Sequence, residues 1–338
     1  MRFADLIGHG MAIERLRRAV AGQRPAHAYL MSGPPGIGKR TLADALALEL
    51  LCATPAADGA CGTCAQCVRV AAGTHPDVTV VVRDADRRDI RTEQIREMAR
   101  WLALRPLMAH RKVALVDGAE TLNEHGQNAL LKTLEEPPGA AVVILVATRA
   151  SQLLPTVRSR CQQLRLDPLS DTDLGRVLER EGVSRGQVPL LVARAAGRPG
   201  RALALRNDPH AQQRDALLDR LGRLPELAAV DLSALAQATA RGAVEPALET
   251  VASWYRDLLG LVTGGGAPLR NPDAGPALRA AALRTSVPAV LQQLRAVCDT
   301  IDAIERNANR ALALETLLLA LRRIERDPAR ADPWMSSH

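Results

Sequence analysis

A glycine-rich turn between an apolar run and a helical pattern constrains the fold of this chain more than any other feature. The run Ala28 to Ser32 predicts a buried strand, the letters GPPGIG follow it, and a helical pattern begins at Lys39. The glycines of this turn are Gly33, Gly36 and Gly38. Glycines let backbone N–H groups curl around phosphate oxygens, and a helix N-terminus and a lysine add positive charge. The segment therefore predicts a phosphate-binding loop, and a plain strand-to-helix turn is the less favoured interpretation.

Apolar strands and helical patterns alternate through the first half of the chain. Further strands are expected at residues 78–82, 112–116, 142–147 and 162–166, and helices at 11–21, 39–51, 92–104 and 123–135. The run Val142 to Val146 is apolar throughout, which is typical of a strand covered on both faces. We therefore expect an α/β domain, a parallel sheet with helices on both faces.

The strand signal disappears after residue 166. Short helical patterns at 170–181, 188–196 and 199–206 indicate a small helical domain, and longer ones, including 247–262 and 287–321, indicate an all-helical domain. We expect the three domains to span residues 1–166, 167–207 and 208–330.

Composition narrows the class of protein further. The chain has 338 residues, of which 47% are hydrophobic and only 2% aromatic, so its cores must be built mainly from Ala, Leu and Val. The charged N-terminal stretch is unlike a signal peptide and no apolar run could span a membrane, so we expect a soluble cytoplasmic protein. The net charge of +7 suits an acidic or nucleic-acid partner and leaves a stand-alone DNA-binding protein as one alternative.

The phosphate-loop pattern departs from that of nucleotide-hydrolysing proteins. A Ser or Thr hydroxyl that binds Mg²⁺ usually follows the lysine, but here the residue is Arg40. Thr41 lies about 100° further round the helix and is expected to miss the metal. A guanidinium at this position could itself neutralise phosphate. The sequence therefore predicts that nucleotide binding survives and that Mg²⁺-assisted hydrolysis suffers.

A carboxylate at the end of the strand 112–116 is the second candidate. Asp117 could hold Mg²⁺ through water, although an Asp in such a place is more often a turn or cap residue. The glutamate that usually follows in active ATPases is replaced by Gly118. Glu120 lies two residues further on, and the sequence does not assign it that role.

Four cysteines form the third candidate site. Cys52, Cys61, Cys64 and Cys67 have the spacing C-x8-C-x2-C-x2-C, which lets successive thiolates converge on one tetrahedral ion. The favoured interpretation is a closed structural Zn²⁺ site, with free thiols or a redox role as the alternatives. Such a site would fasten a loop and leave no open position for catalysis.

Three further residues are weak signals when each is taken alone. Arg160 lies in a Ser-Arg-Cys segment, and a basic residue near a helix C-terminus usually serves the helix dipole. Thr148 follows the strand 142–147, and Arg201 lies in a Gly-Arg-Pro-Gly-Arg segment.

Taken in order along the chain, the motifs resemble those of bacterial clamp-loader AAA+ subunits. The resemblance rests on the loop 33–39, the cysteine insertion followed by GTHPD at 73–77, LLKTLEEPP at 130–138 and SRC at 159–161. The letters around the loop, AYL at 28–30 and GKR at 38–40, are typical of the delta-prime branch of that family. The resemblance implies an AAA+ nucleotide-binding domain, a small helical lid and an all-α collar through which subunits assemble into a ring-like pentamer.

The resemblance also implies residue roles and partners. Arg160 becomes an arginine finger that reaches the ATP site of a neighbouring subunit, Thr148 matches the first sensor position, and Arg201 lies near the second. The implied partners are ATPase motor subunits of the gamma/tau type and the clamp-opening delta subunit. Through them the chain would act on the sliding clamp and primed DNA.

Arg40 and Gly118 then imply a subunit that helps others hydrolyse ATP while hydrolysing little itself. The main alternative is a gamma/tau-like ATP-hydrolysing motor in which Lys39 and Asp117 suffice.

Overall fold

The computed structural model describes residues 1–22 and 24–328, and this part of the chain forms two compact units. The first unit comprises residues 1–188 and 196–203, and the second comprises residues 189–195 and those from 204 onward. The division into three domains at residues 166 and 207 stays a prediction, and positions 329–330 of the expected third domain lie outside the described residues.

The first unit is built on a five-stranded parallel sheet. Its strands are β1 (Ala28–Ser32), β2 (Val78–Val81), β3 (Val113–Asp117), β4 (Val142–Ala147) and β5 (Gln162–Arg165). Their order across the sheet is β2-β3-β4-β1-β5, and every neighbouring pair is parallel, with Leu30 opposite Leu145 in the central pair. The predicted α/β sheet is thereby confirmed.

Nine α-helices occur between the N-terminus and residue 205 in the described chain. They are α1 (Gly10–Ala21), α2 (Lys39–Leu51), α3 (Ala65–Ala71), α4 (Thr92–Leu102), α5 (Glu124–Glu135), α6 (Pro155–Ser159), α7 (Asp171–Arg180), α8 (Val188–Ala195) and α9 (Pro199–Leu205). Helix α2 is rich in Ala and Leu, and ten of its residues are buried, so it is anchored firmly behind the loop that precedes it.

The sheet topology brings the predicted site residues to one edge. β1 runs into the glycine-rich loop, β3 ends at Asp117, and Thr148 follows β4. Because β3, β4 and β1 are adjacent and parallel, their carboxyl ends lie at the same edge, where open α/β sheets bind their ligands.

The second unit is helical and is packed around Trp254 and Tyr255, which are both fully buried. Beyond residue 205 its helices are α10 (Ala211–Gly222), α11 (Ala229–Arg241), α12 (Val244–Val262), α13 (Gly275–Ala282), α14 (Val287–Glu305) and α15 (Arg310–Arg326). In the described residues, no helix has the length and apolar character needed to cross a membrane.

The single helix expected at 287–321 is wrong, because the structure divides this segment into α14 and α15. Asn307 has a positive φ of 67°, a conformation that ends a helix. Asn309 then accepts the backbone N–H of Leu312 at 3.2 Å and caps the start of α15. Two asparagines in three residues therefore break a helical period that is otherwise continuous.

Candidate nucleotide-binding site

The loop between β1 and α2 adopts a backbone that its glycines make possible. Gly36 and Gly38 have positive φ angles of 74° and 103°, which residues with a side chain rarely adopt. A Cβ atom on Gly36 would lie 2.9 Å from the backbone nitrogen of Arg201. Gly200 donates its N–H to the carbonyl of Gly36 at 2.8 Å, so the start of α9 lies directly on the loop.

Lys39 is the first residue of α2, and its side chain folds back into the loop. Its ammonium donates to the carbonyls of Gly33 at 2.7 Å and Pro34 at 2.9 Å. The side chain is only 8% exposed. Burial lowers the pKa of this ammonium, against the opposing effect of the nearby Glu120 and Asp117 carboxylates. A cation is thus held inside the loop by backbone carbonyls.

A cavity of about 430 Å³ opens beside the loop. Its polar part is lined by the loop and the start of α2, from Gly36 to Leu42, together with Asp117, Glu120 and Thr148. Its apolar part is lined by Leu6, Ile7, Val177 and Leu203. A cavity lined by a phosphate-binding type of loop, charged side chains and apolar side chains suits a ligand with phosphates and an apolar group.

Sequence reasoning missed the apolar wall of this cavity. Its residues come from the N-terminal segment, from α7 and from α9, and no motif marks any of them. His9, which also lines the cavity, contacts the loop through a hydrogen bond of 2.9 Å between Nε2 and the carbonyl of Ile37. Only the folded chain brings these segments together.

Arg40 bridges two carboxylates beside the loop. Its Nε donates to both oxygens of Asp44 at 2.9 and 3.0 Å, and its Nη1 donates to Oδ2 of Asp117 at 3.1 Å. Asp44 lies one helical turn further along α2, at a spacing that places the two side chains on the same face. Arg40 therefore links α2 to the end of β3.

These residues do not fit the magnesium site of nucleotide-hydrolysing proteins, from which the sequence already departs. Mg²⁺ needs near-octahedral oxygen ligands at about 2.0–2.1 Å. The carboxylate of Asp117 is bound by Arg40, and no hydroxyl follows Lys39. Gly118 has a φ of 80° and brings no carboxylate. Thr41 has a hydroxyl and lines the cavity, but it lies one position further along α2 than the hydroxyl that usually binds Mg²⁺.

Glu120 contacts the end of β4. Its Oε1 accepts the backbone N–H of Thr148 at 3.0 Å, while its Oε2 is buried without a hydrogen-bond partner in the described part of the chain. The carboxylate thus fixes the backbone at Thr148, a connection that the sequence did not reveal.

Arg201 and Arg160 are not among the residues that line the cavity. Arg201 is in α9, where Pro199, Gly200 and Leu203 line the cavity instead. Arg160 follows α6, is 36% exposed, and forms an ion pair with Glu135 at 2.5 Å. The structure therefore brings together the loop, Asp117 and Thr148, and places Arg160 outside this group.

The four cysteines converge between α2 and α3. Their sulfur atoms all lie within 4.8 Å of one another, with Cys52 and Cys61 at 3.7 Å and Cys61 and Cys67 at 4.0 Å. Zn–S bonds of about 2.3 Å in a tetrahedron give S–S distances of about 3.8 Å. The cluster therefore has the donors and spacing to bind a metal ion.

Hydrogen bonds to sulfur support the same interpretation of the cysteine cluster. Backbone N–H groups of Cys61 and Cys64 donate to Sγ of Cys52 and Cys61, each at 3.3 Å. Donors from Thr54, Thr63 and Cys64 lower the pKa of Cys61 to about 5, which favours a thiolate there, whereas burial raises the pKa of the Cys52 and Cys67 thiols.

Two family models match this chain. The model described as DNA polymerase III, delta subunit, matches residues 8–170, and the model described as DNA polymerase III, delta subunit, C terminal, matches residues 209–323.

Individual relatives carry related names. DNA polymerase III subunit delta' of Pseudomonas aeruginosa is 49% identical over 138 residues, which are 41% of this chain and 42% of the relative. The Bacillus subtilis protein of the same name is 28% identical over 312 residues, 90% of this chain and 94% of the relative. The matched part of the chain thus spans less than half of the Pseudomonas protein and nearly all of the Bacillus one.

Among solved structures, a DNA polymerase III gamma subunit-related protein from Thermotoga maritima is 19% identical, with a TM-score of 0.42 over 92% of this chain and 99% of that one. Since the two family models together cover both halves of the chain and both relatives carry the delta' name, the chain belongs to the DNA polymerase III clamp-loader family, in its delta-prime branch.

Proposed function

We propose that the chain is a clamp-loader subunit of the bacterial replicative DNA polymerase III, acting in the cytoplasm. It assembles with ATPase motor subunits of the gamma/tau type and with the clamp-opening delta subunit, and the complex loads the sliding clamp on primed DNA. The observation that carries the proposal is the match of delta-subunit family models to both halves of the chain.

In this proposal Arg160 acts in trans as an arginine finger. Its guanidinium is not among the groups that line the chain's own cavity; it is partly exposed at the end of α6, where it donates to the carbonyl of Thr156 at 3.0 Å. An arginine at the surface can reach the nucleotide of a neighbouring subunit and stabilise the charge that develops on the transferring phosphoryl group. Glu135 pairs with it in the isolated chain.

The chain's own cavity binds ATP in this proposal but hydrolyses it poorly. The loop N–H groups and Lys39 bind the phosphates, with Thr148 at the first sensor position and Arg201 near the second. Hydrolysis lacks two groups: Arg40 stands in place of a magnesium-binding hydroxyl, and Gly118 stands in place of the water-polarising glutamate.

The cysteine cluster holds a structural Zn²⁺ in this proposal. Cys52, Cys61, Cys64 and Cys67 supply four thiolates, which close the coordination sphere of a tetrahedral ion and leave no catalytic position. The ion would fasten the loop between α2 and α3.

A steady-state ATPase assay distinguishes this proposal from a gamma/tau-like motor, which the intact Lys39 favours. We expect the isolated chain to show no turnover above background, and Lys39→Ala to leave that background unchanged. Mixing with motor, delta and clamp proteins should give a complex that contains the chain at a fixed stoichiometry. Turnover that disappears in Lys39→Ala, or failure to enter the complex, would contradict the proposal.

A further inference from the structure

The Arg40 guanidinium has donors left over after both of its ion pairs are made. A guanidinium carries five N–H donors in a planar fork. Nε binds Asp44, and Nη1 binds Asp117 through one hydrogen bond. The remaining N–H groups belong to Nη1 and Nη2, and the side chain is 39% exposed and lines the cavity. The side chain is therefore anchored on one side and available to a ligand on the other.

The position of Arg40 matches the task that a divalent ion performs in hydrolysing relatives of this loop. There, Mg²⁺ is held by a hydroxyl that follows the lysine and by a carboxylate at a strand end, and it neutralises the β- and γ-phosphate oxygens. Arg40 follows Lys39 directly and is held by the strand-end carboxylate of Asp117 at 3.1 Å. Guanidinium groups bind phosphate through paired hydrogen bonds as well as through charge.

A divalent ion at the same place would be opposed by the charges present. It would have to share the Asp117 carboxylate with the guanidinium, whose Nη1 lies 3.1 Å from Oδ2, and would then lie beside that positive group. Asp44, the other carboxylate near Arg40, is bound through both of its oxygens. Glu120, which also lines the cavity, has one oxygen on the N–H of Thr148 and its other oxygen buried in the described residues, so it presents no open pair of oxygens to an ion.

We propose that Arg40 is a built-in replacement for the divalent cation, so that the cavity binds a nucleoside triphosphate independently of Mg²⁺. The inference rests on the proposed binding of ATP at this loop and adds its ionic requirement. It makes Asp117 an anchor for a side chain instead of a metal ligand.

The test measures ATP binding by titration calorimetry in Mg²⁺ and in EDTA. For the natural chain we expect dissociation constants within about threefold of each other in the two buffers. Arg40→Ser restores a hydroxyl and frees Asp117, so this variant should bind ATP at least about tenfold more weakly in EDTA than in Mg²⁺. A tenfold requirement for Mg²⁺ in the natural chain, or no binding of ATP in either buffer, would overturn the inference.

Two further variants keep the result interpretable. Arg18→Ser removes an exposed arginine that also forms a one-turn ion pair, with Glu14 at 2.8 Å, and that does not line the cavity; it should bind ATP like the natural chain in both buffers. Asp117→Asn should remain independent of Mg²⁺, because Arg40 is still present. If the natural chain instead bound ATP strongly only in Mg²⁺, and Asp117→Asn lost that binding, the Asp117 carboxylate would hold the metal and the inference would be overturned.

Thermal melting of each variant confirms that it is folded before titration. The proposed role in clamp loading has its own readout, because the contribution of Arg160 is measured in the assembled complex. A chain that binds no ATP but still supports loading would therefore refute ATP binding at this loop, and the ionic inference with it, while the proposed role in clamp loading would stand.

Discussion

At the scale of single residues, the sequence identified the charged groups of the site but not how they pair. The loop glycines, Lys39 and Asp117 follow from a local pattern, because a strand, a turn and a helix in succession require them. The hydrogen bond from Arg40 to Asp117 joins residues 77 positions apart, and the one from Thr148 to Glu120 joins residues 28 apart. Such contacts depend on strand order, which local patterns do not specify.

A buried carboxyl in the helical unit gives a pH-dependent prediction at the same scale. Burial raises the pKa of Glu325 to about 7, although Tyr255 donates a hydrogen bond to it at 2.7 Å. An unfolded chain ionises this group near its ordinary pKa of 4.5. Between these values the folded state binds more protons than the unfolded state, so stability falls as pH rises from about 4.5 to about 7.

Glu325→Gln should remove this part of the pH dependence, because an amide does not titrate. Relative to the natural chain, the variant should gain on the order of 2 kcal/mol of unfolding free energy between pH 5 and pH 7.5. Urea unfolding at several pH values measures the difference. Parallel stability curves for the two chains would contradict the prediction.

At the scale of elements, continuous apolar or helical patterns predicted the bounds of strands and helices well. The place where a helical pattern is interrupted was not predicted. The bounds of β1, β4 and α2 agree with the predicted ones, since β4 and α2 are dense in Ala, Val, Ile or Leu and β1 is a short, mainly apolar run that ends at the glycine-rich loop. The segment from 287 to 321 was expected as one helix because its period continues past Asn307 and Asn309. Whether an asparagine caps a helix or lies within one depends on the packing of the segments around it.

The connection between α2 and α3 is expected to depend on a metal ion bound by the cysteine cluster. Loss of one thiolate should release the metal and loosen the connection between α2 and α3, so Cys64→Ser should lower the zinc content from about one ion per chain to near zero. Elemental analysis and thermal melting measure the two effects. Cys298→Ser, which removes an exposed cysteine outside the cluster, is the matched control and should keep its zinc. The assignment would be refuted if the natural chain contained no zinc and melted at the same temperature as Cys64→Ser.

At the scale of the whole molecule, ordered motifs carried more information than composition. The net charge of +7 suggested nucleic acid without locating a surface for it. The succession of loop, cysteine insertion, LLKTLEEPP and SRC pointed to the clamp-loader family, which the family models confirm for residues 8–170 and 209–323. The apolar wall of the cavity lay beyond prediction, because it is assembled from segments that approach one another only in the folded unit.

The central claim is that this chain assists ATP hydrolysis by a neighbour through Arg160. The most direct measurement is the rate of ATP-driven clamp loading in a complex reconstituted with Arg160→Ala, compared with Arg165→Ala, which removes an arginine that is 85% exposed on β5. Because an arginine finger contributes strongly to phosphoryl transfer, the account predicts a fall of at least about tenfold for Arg160→Ala with unchanged subunit stoichiometry, and no change for Arg165→Ala. Loading by Arg160→Ala within about twofold of the natural complex, less than an arginine finger contributes, would contradict the account.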